Sequence, residues 1–321
     1  MNKLKLYHLV KCFFVAGILL FTGIGAWAQQ RPVLNTIIID PGHGGIDPGA
    51  SGQFSTEAAV ALSISLKLGK ALAAELPNSK LIFTRTTDEL PGGLDNIHDA
   101  LRYRADMANQ AKGDLFIAIH CNANGLRAGE YYAKRVVGHK NRTMYVGKGS
   151  KRRKKTVREP IYESYLVKNN EHGTETYIWA ADRTGSKGEA IQSTGETGEN
   201  VTDSTNDLDL NSPEAMIRAQ LYEKKYFSKS LLLATYVEDE FTKGGRFSRG
   251  VKQRNEKGIW VLQATGMPSI LVETGFITQT EEEEYINSDQ GQDEIVTQIV
   301  TAIKRYKASL EGNSPPAQVN K

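Results

Sequence analysis

Four side chains of this 321-residue sequence could act together in hydrolytic chemistry: His43, His120 and Glu273, which follow or end apolar stretches, and Glu57, which begins a predicted helix. Two imidazoles and one carboxylate are a common ligand set for a catalytic zinc ion that keeps one position open for water. A further carboxylate is then needed to move protons, and Glu273 fits that role. The residue types therefore predict a zinc-dependent hydrolase with His43, Glu57 and His120 as metal ligands.

The surroundings of His43 leave other interpretations open. It lies in the run DPGHGG at 40–45, whose glycines would let the backbone turn so that the ring points inward. A glycine-rich turn after a strand can also hold phosphate, although this run matches neither the G-x-G-x-x-G nor the P-loop pattern. An isolated histidine at a strand end is usually structural, so spacing alone leaves the metal site as one of several alternatives.

The hydrophobic pattern places these residues among alternating strands and helices. Buried strands are predicted for 35–40, 81–83, 115–119, 174–180 and 269–272. Helices are predicted for 54–76, 100–111, 213–241 and 292–310. This alternation predicts an α/β fold, a single domain with a mostly parallel twisted central sheet of about six strands flanked by helices on both faces. Parallel strands would bring all four side chains to one edge of the sheet.

The two ends of the chain are expected to lie outside the fold. Residues 1–28 combine basic residues, an apolar stretch and the sequence Ala26-Trp27-Ala28, which predicts a cleaved signal peptide. The apolar stretch is short for a bilayer span, and an uncleaved anchor is the alternative. We expect a periplasmic or secreted catalytic domain at 29–311 without a transmembrane segment after cleavage, followed by a disordered tail at 312–321.

Charge and cysteine content exclude several classes of protein. The net charge of +3 gives no general attraction to nucleic acid. Removal of the signal peptide leaves Cys121 as the single cysteine, which excludes an intramolecular disulfide and a cysteine-rich zinc site. Neighbouring residues on a strand point to opposite faces, so Cys121 is expected to be buried and inert if His120 faces the site.

Two polar inserts interrupt the alternation, one near 125–170 and one near 184–211. The first contains the basic run KRRKK at 151–155. We expect a solvated charged loop there, with contact to an anionic wall polymer or a lipid head group as the alternative. The second insert is rich in Gly, Ser, Thr and acidic residues and is expected to be a mobile loop.

The sequence resembles the zinc-dependent N-acetylmuramoyl-L-alanine amidases of bacterial cell-wall cleavage. The matching runs occur in the order of the family between residues 35 and 306, at 39–50, 83–85, 114–123, 173–177, 249–252 and 268–276. The resemblance implies that zinc is held by His43, Glu57 and His120 and that Glu273 is the catalytic acid and base. It also implies substrate-binding or supporting roles for Arg104 and Asn122.

The reaction implied by the resemblance is hydrolysis of the amide bond between N-acetylmuramic acid and L-alanine in peptidoglycan. Some members of this family carry an inserted helix that covers the zinc until an activator protein removes it. The helix that includes Glu214 follows a comparable insert, so we hypothesise autoinhibition with Glu214, Asp207 or Asp209 as an extra zinc ligand. A disordered surface insert is the alternative.

Two further functions remain open. The protein could be a catalytically inactive wall-binding or regulatory protein of the same fold, although a binder has no need of Glu273. It could also be a zinc peptidase that cuts within the stem peptide, although no H-E-x-x-H signature is present.

Overall fold

The apolar runs of the sequence form a six-stranded sheet in the computed structural model, which describes residues 33–179, 213–254 and 258–312. The strands in chain order are β1 (Thr36–Pro41), β2 (Lys80–Phe83), β3 (Leu115–Asn122), β4 (Tyr131–Val146), β5 (Arg153–Val167), β6 (Thr174–Ile178), β7 (Ser248–Gln253) and β8 (Ser269–Phe276). The order across the sheet is β2-β1-β3-β8-β6-β7, while β4 and β5 pair only with each other. Strands β2, β1, β3 and β8 are parallel, and β6 runs antiparallel to β8, so the predicted mostly parallel sheet is confirmed.

Helices cover both faces of this sheet, as predicted. They are α1 (Glu57–Glu75), α2 (Ile97–Gln110), α3 (Pro213–Lys243), α4 (Trp260–Ala264), α5 (Thr280–Asn287) and α6 (Asp289–Leu310). One layer of the core lies between the sheet and helices α1, α3 and α6, and the other contains residues of α2 and α4. In α1, Thr56 caps the N-terminus and the predicted stripe with Ile64 and Leu68 is fully buried.

Burial on both faces explains why the central strands are continuous apolar runs. In β1, Ile37 and Ile39 point into one core layer and Ile38 points into the other. Each of the three is fully buried, and burial of one such side chain contributes about 1.5–3 kcal/mol. A strand with this pattern is stable only in the middle of a sheet, and β1 lies between β2 and β3.

The prediction of a charged loop near 125–170 is wrong about local structure. Strands β4 and β5 form a long antiparallel hairpin with one register shift between Val136 and Gly138. Most residues of the two strands are exposed and none is buried, so the solvated and charged character of the segment is as expected. Among the described residues no other element covers either face of this ribbon, so its β-branched and aromatic residues do not show the apolar periodicity that marks a half-buried strand.

Three shorter elements, β7, α4 and α5, were not predicted from the sequence. β7 contains only one large apolar residue, Val251, and α4 is only five residues long. The predicted signal peptide at 1–28, the second insert at 184–211 and residues 313–321 of the tail lie outside the described residues. Within the described part of the chain, none of the helices combines the length and the apolar character needed to cross a bilayer.

Candidate active site

The four predicted site residues come to the edge of the sheet at which the parallel strands end. His43 follows β1, Glu57 begins α1, and His120 lies near the end of β3. Glu273, in β8, is the register partner of His120 on the neighbouring parallel strand. Ligand atoms of His43, Glu57 and His120 lie within 4.8 Å of one another. The structure therefore brings together three residues that are up to 77 positions apart in the sequence.

The Glu57 carboxylate lies between the two imidazole rings. Its Oε1 atom is 2.8 Å from His120 Nδ1 and 3.1 Å from His43 Nε2. The backbone N–H of Cys121 donates to the same oxygen at 3.2 Å. The two rings stand edge to face, with centroids 5.0 Å apart. One carboxylate oxygen and one nitrogen of each ring thus point toward a common centre.

Hydrogen bonds from the two imidazoles act on the ionisation of Glu57. Burial would raise the pKa of Glu57, but the hydrogen bonds from His120 and His43 outweigh it and hold this pKa well below its usual range. Burial would likewise lower the pKa of His43, but its hydrogen bonds to Glu57 and Asp47 raise it to about 9. The cluster therefore favours positive charge between an ionised Glu57 and the imidazoles, which is the charge that a metal ion supplies.

A second carboxylate fixes the orientation of His43. Asp47 Oδ2 lies 2.8 Å from His43 Nδ1, so that the other ring nitrogen, Nε2, faces Glu57. Metal-binding histidines commonly donate their second ring N–H to a carboxylate in this way. No role was predicted for Asp47 from the sequence. Its position four residues after His43, within the same glycine-rich loop, was the available signal.

The donor set fits a zinc ion. It consists of two imidazole nitrogens and one carboxylate oxygen, which is a ligand set of catalytic zinc sites. Beside it lies Glu273, which is 7% exposed and whose Oε2 atom is buried without a hydrogen-bond partner among the described residues. Buried carboxylate oxygens are usually hydrogen-bonded. An unpaired oxygen at this place could form a hydrogen bond with a water molecule or a substrate.

Glycines around His43 make room for the two rings. A Cβ atom on Gly42 would lie 2.4 Å from the His120 ring, and one on Gly49, whose φ is +65°, would lie 2.7 Å from Glu57 and from His43. The N–H groups of Gly44 and Gly45 are already bonded to Asp47 O and to Asp88 Oδ1. These N–H groups are therefore unavailable to a phosphate, which argues against the phosphate-loop alternative.

Two buried guanidinium groups hold the backbone of the same loop. Arg104 donates to the carbonyl oxygen of His43 at 2.6 Å and forms a buried ion pair with Asp40. Arg85 donates to the carbonyl oxygen of Gly42 at 2.6 Å. Arg104 is only 4% exposed. These contacts favour the supporting role of Arg104 over direct substrate binding, and the contribution of Arg85 was not predicted from the sequence.

Glu273 lies in an environment that favours its protonated form. Burial, together with the negative charge of Glu57, raises the pKa of Glu273 to about 8. Its register partner on β6 is Glu175, which is also buried. Glu175 differs because Arg249 and Lys252 each donate to it at 2.6 Å. Two neighbouring buried glutamates are thus held in different states, one paired with cations and one unpaired.

Asn122 belongs to the group around Glu175. Its Nδ2 atom donates to Glu175 Oε2 at 2.9 Å, and Tyr177 donates to the same oxygen at 2.7 Å. Asn122 also lines the cleft in front of the predicted ligands. The structure therefore places Asn122 at the site. Its partner Glu175 was not predicted from the sequence to have a role there.

A cleft of about 410 Å³ opens in front of the predicted ligands. One wall is apolar and includes Ile97 and Leu101 of α2. Arg254 and Trp260 also line the cleft, and the Trp260 side chain is 49% exposed. An apolar wall, an exposed indole and a cation suit a ligand that has both sugar or peptide surface and a carboxylate.

Cys121 is buried, as predicted, with an exposed fraction of 2%. Burial raises the pKa of its thiol well above the usual value, which disfavours a thiolate nucleophile. The proposed extra ligands are not placed by the structure: Asp207, Asp209 and the side chain of Glu214 lie outside the described part of the protein, although the backbone of Glu214 is in the first turn of α3. Autoinhibition therefore stays a prediction.

Known proteins resemble the chain over most of its length. A family model described as N-acetylmuramoyl-L-alanine amidase matches residues 37–305. The N-acetylmuramoyl-L-alanine amidase AmiC of Escherichia coli is 27% identical over 285 residues, covering 88% of this chain and 55% of that protein. The sporulation-specific N-acetylmuramoyl-L-alanine amidase of Bacillus subtilis is 37% identical over 102 residues, which are 32% of this chain and 37% of that protein.

Solved structures share the fold. The CwlD amidase of Clostridioides difficile, in complex with the GerS lipoprotein, matches with a TM-score of 0.53 and 19% identity, over 86% of this chain and 99% of that chain. An N-acetylmuramoyl-L-alanine amidase of Clostridium difficile 630 matches with a TM-score of 0.51 and 21% identity, over 88% and 99%. The chain spans about half the length of AmiC and about a third of a cell wall amidase of Bacillus anthracis.

Proposed function

Because the chain belongs to the N-acetylmuramoyl-L-alanine amidase family, we propose that it hydrolyses the amide bond between N-acetylmuramic acid and L-alanine in peptidoglycan with zinc as cofactor. The observation that carries this proposal is the convergence of His43, Glu57 and His120 beside the buried, unpaired Glu273. A buried carboxylate with a raised pKa beside such a cluster is typical of a catalytic acid or base.

The chain's own residues hold the proposed metal. The ligand atoms would be His43 Nε2, His120 Nδ1 and one Glu57 oxygen, because these atoms already face one another. A zinc ion held by these atoms would supply Lewis-acid chemistry toward a water molecule and the amide carbonyl. Asp47 keeps the His43 ring in its tautomer and orientation.

Glu273 moves the proton. Its carboxylate takes a proton from the attacking water as the oxygen adds to the amide carbon. The same carboxyl then returns the proton to the leaving nitrogen of L-alanine when the C–N bond breaks. A buried acid with a pKa raised toward neutrality suits both steps, because it exchanges protons readily in either direction near neutral pH.

The cleft suits a substrate that is part sugar and part peptide. The exposed face of Trp260 offers a stacking surface for a sugar ring, and Arg254 offers a cation to a carboxylate of the stem peptide. The predicted signal peptide at 1–28, with a catalytic domain at 29–311, would place this reaction in the periplasm or outside the cell. We also propose that an activator protein opens the site by acting on the insert at 184–211.

The decisive experiment is mass spectrometry of purified peptidoglycan digested with the protein. We expect free stem peptides that begin with L-alanine. This product should disappear with a chelator and return when zinc is added. It should also fall by about 10²–10⁴-fold in Glu273→Gln, which keeps the shape of the side chain but cannot accept the proton.

Asp106→Asn is a matched control, because Asp106 is an exposed acid on α2 and its loss should leave the rate unchanged. Cleavage within the stem peptide would instead identify a zinc peptidase. Binding to peptidoglycan without any cleavage, even after removal of residues 184–211, would support the inactive wall-binding alternative. Either result would overturn the proposed activity.

A further inference from the structure

The β4–β5 hairpin carries an extreme share of the positive charge. Residues 131–167 contain eleven Lys and Arg residues and two Glu residues, a net charge of +9. The whole chain has a net charge of +3, which leaves −6 for all other residues. The positive charge is thus concentrated on one protruding ribbon, and the remainder of the chain is acidic.

The two acids of the hairpin lie on one face. Glu163 is the register partner of Arg135 and forms an ion pair with it. Glu159 is the register partner of Lys140 and forms an ion pair with Arg142. Alternation along the strands places these residues on the same side of the ribbon. The opposite face carries no acid, and its larger side chains are Tyr132, Lys134, Val136, His139, Tyr145, Lys154, Arg158 and Tyr162.

The tip of the hairpin is where cations and exposed apolar groups coincide. Six cations lie at or beside the turn: Lys148, Lys151, Arg152, Arg153, Lys154 and Lys155. None of them lies in a salt bridge with another described residue. Next to them, Met144 is 41%, Tyr145 61% and Val146 50% exposed. Arg152 lies over the Tyr145 ring at 4.8 Å.

The body of the protein does not cover this ribbon. Among the described residues, neither core layer contains a residue of β4 or β5. A two-stranded hairpin alone is only marginally stable in water. A large group of exposed apolar residues usually marks a surface that contacts a partner. The partner has to be strongly anionic, since eleven cations would repel most other surfaces.

We propose that the tip of this hairpin docks on a lipid bilayer that contains anionic phospholipids. Cations near such a surface attract the head groups in a nearly additive way. Tyr145 with its apolar neighbours suits the interface between head groups and acyl chains, where tyrosine is enriched. An anionic polysaccharide would pair with the cations but would offer Met144 and Val146 no apolar layer. A second copy of the hairpin would be repelled by its own charge.

Docking by the tip would keep the active site away from the bilayer. The hairpin leaves the sheet after β3 and returns before β6, at the edge where His120 and Glu273 lie. A 16-residue strand is about 50 Å long. The bilayer contact and the cleft would therefore lie at opposite ends of an arm of roughly that length.

The test is co-sedimentation with vesicles of the protein purified without the predicted signal peptide at 1–28, because the apolar stretch of that segment would itself bind a bilayer. Two compositions are compared, phosphatidylcholine alone and phosphatidylcholine with phosphatidylglycerol. We expect binding to the anionic vesicles only, weakened by salt. The variant R152Q/R153Q/K154Q/K155Q should bind at least about 100-fold more weakly, since each cation contributes roughly fivefold. The control K70Q/K80Q/K224Q/K225Q removes the same charge from exposed positions elsewhere and should bind like the unsubstituted protein.

A second pair of variants separates a bilayer from an anionic polymer. Tyr145→Ser at the tip should weaken vesicle binding several-fold, whereas Tyr132→Ser, at the base of the same face and 74% exposed, should not. Isolated peptidoglycan is the competing probe. The proposal is overturned if the four-cation variant binds vesicles normally, if both tyrosine variants behave alike, or if the hairpin mediates binding to peptidoglycan but not to vesicles. Cleavage of soluble muropeptides should be unchanged in the tip variants, so this test is independent of the proposed activity.

Discussion

The loop that carries His43 and the β4–β5 hairpin are both polar, glycine-containing stretches of sequence, but the fold holds them in opposite ways. The loop is fixed by buried Arg85 and Arg104, which donate to its carbonyl oxygens. Within the described part of the chain, the hairpin is held by the hydrogen bonds between its own two strands, and its ion pair Arg135–Glu163 is exposed. One region is specified by many contacts from distant parts of the chain and the other almost entirely by local ones.

The two regions differ in how accurately their atoms must be positioned. A metal site requires ligand atoms that stay within a few tenths of an ångström, so the loop needs buried partners that cannot rearrange. Breaking a buried charge pair leaves an uncompensated charge in a region of low dielectric. An arm that contacts a surface has no such requirement, and its exposed ion pairs contribute little to stability.

The largest expected effect follows from breaking the buried ion pair under the His43 loop. Asp40→Ala leaves Arg104 buried without its carboxylate, and we expect a loss of about 3–5 kcal/mol in the free energy of unfolding. Glu163→Ala breaks the exposed pair with Arg135 and should cost at most about 1 kcal/mol. Urea denaturation of both variants measures the contrast. Equal losses would show that the two regions are held alike.

The next effect concerns the unpaired Glu273 in chelated protein. Its pKa is about 8 in the fold and 4.5 in its ordinary state. Between these values the folded form binds more protons than the unfolded form, so stability falls as pH rises through this window. Glu273→Gln should remove this component of the fall, an effect on the order of a few kcal/mol.

Thermal or urea unfolding from pH 5 to pH 9 measures this difference between Glu273→Gln and the unsubstituted protein. Zinc should reduce it, because a nearby cation favours the ionised carboxylate. Parallel pH profiles of the two chelated proteins would show that Glu273 is not held in its protonated form.

A smaller effect is expected from the carboxylate behind His43. Asp47→Ala removes the partner of Nδ1 and should weaken zinc binding by about 10–100-fold without unfolding the protein. Competition with a chromophoric chelator gives the affinity directly. Asp106→Ala, on the exposed side of α2, is the control and should bind zinc normally. An unchanged affinity in Asp47→Ala would mean that the loop backbone alone orients the ring.

The smallest effect belongs to the hairpin. Ile161→Ala truncates a side chain that is 42% exposed, and we expect a change in unfolding free energy within about 0.5 kcal/mol. The same truncation at Ile119 in β3, which is fully buried, serves as the reference and should cost about 2–5 kcal/mol. A large loss in Ile161→Ala would reveal a partner or a packing contact that stabilises the ribbon.

Much of the fold could be predicted because burial leaves a periodic trace in the sequence. The runs around Ile38 and Ile117 are apolar at every position, since both faces of these strands are covered. The stripe through Ile64 and Leu68 marks the buried side of α1. The β4–β5 hairpin leaves no such trace, because neither of the two core layers that the described residues form includes a residue of the hairpin, and the hairpin has no consistent apolar side.

The sequence by itself determined the residue types of the site and, through the ends of parallel strands, the edge at which His43, His120 and Glu273 meet. Only the tertiary structure decided that Glu57 lies between the two rings, that Arg104 holds the loop, and that Glu273 is left unpaired. The physical reason is that burial and specific hydrogen bonds relate to the sequence in different ways. Burial acts on each residue and repeats along the chain, whereas these hydrogen bonds join single atoms across long separations and follow no local pattern.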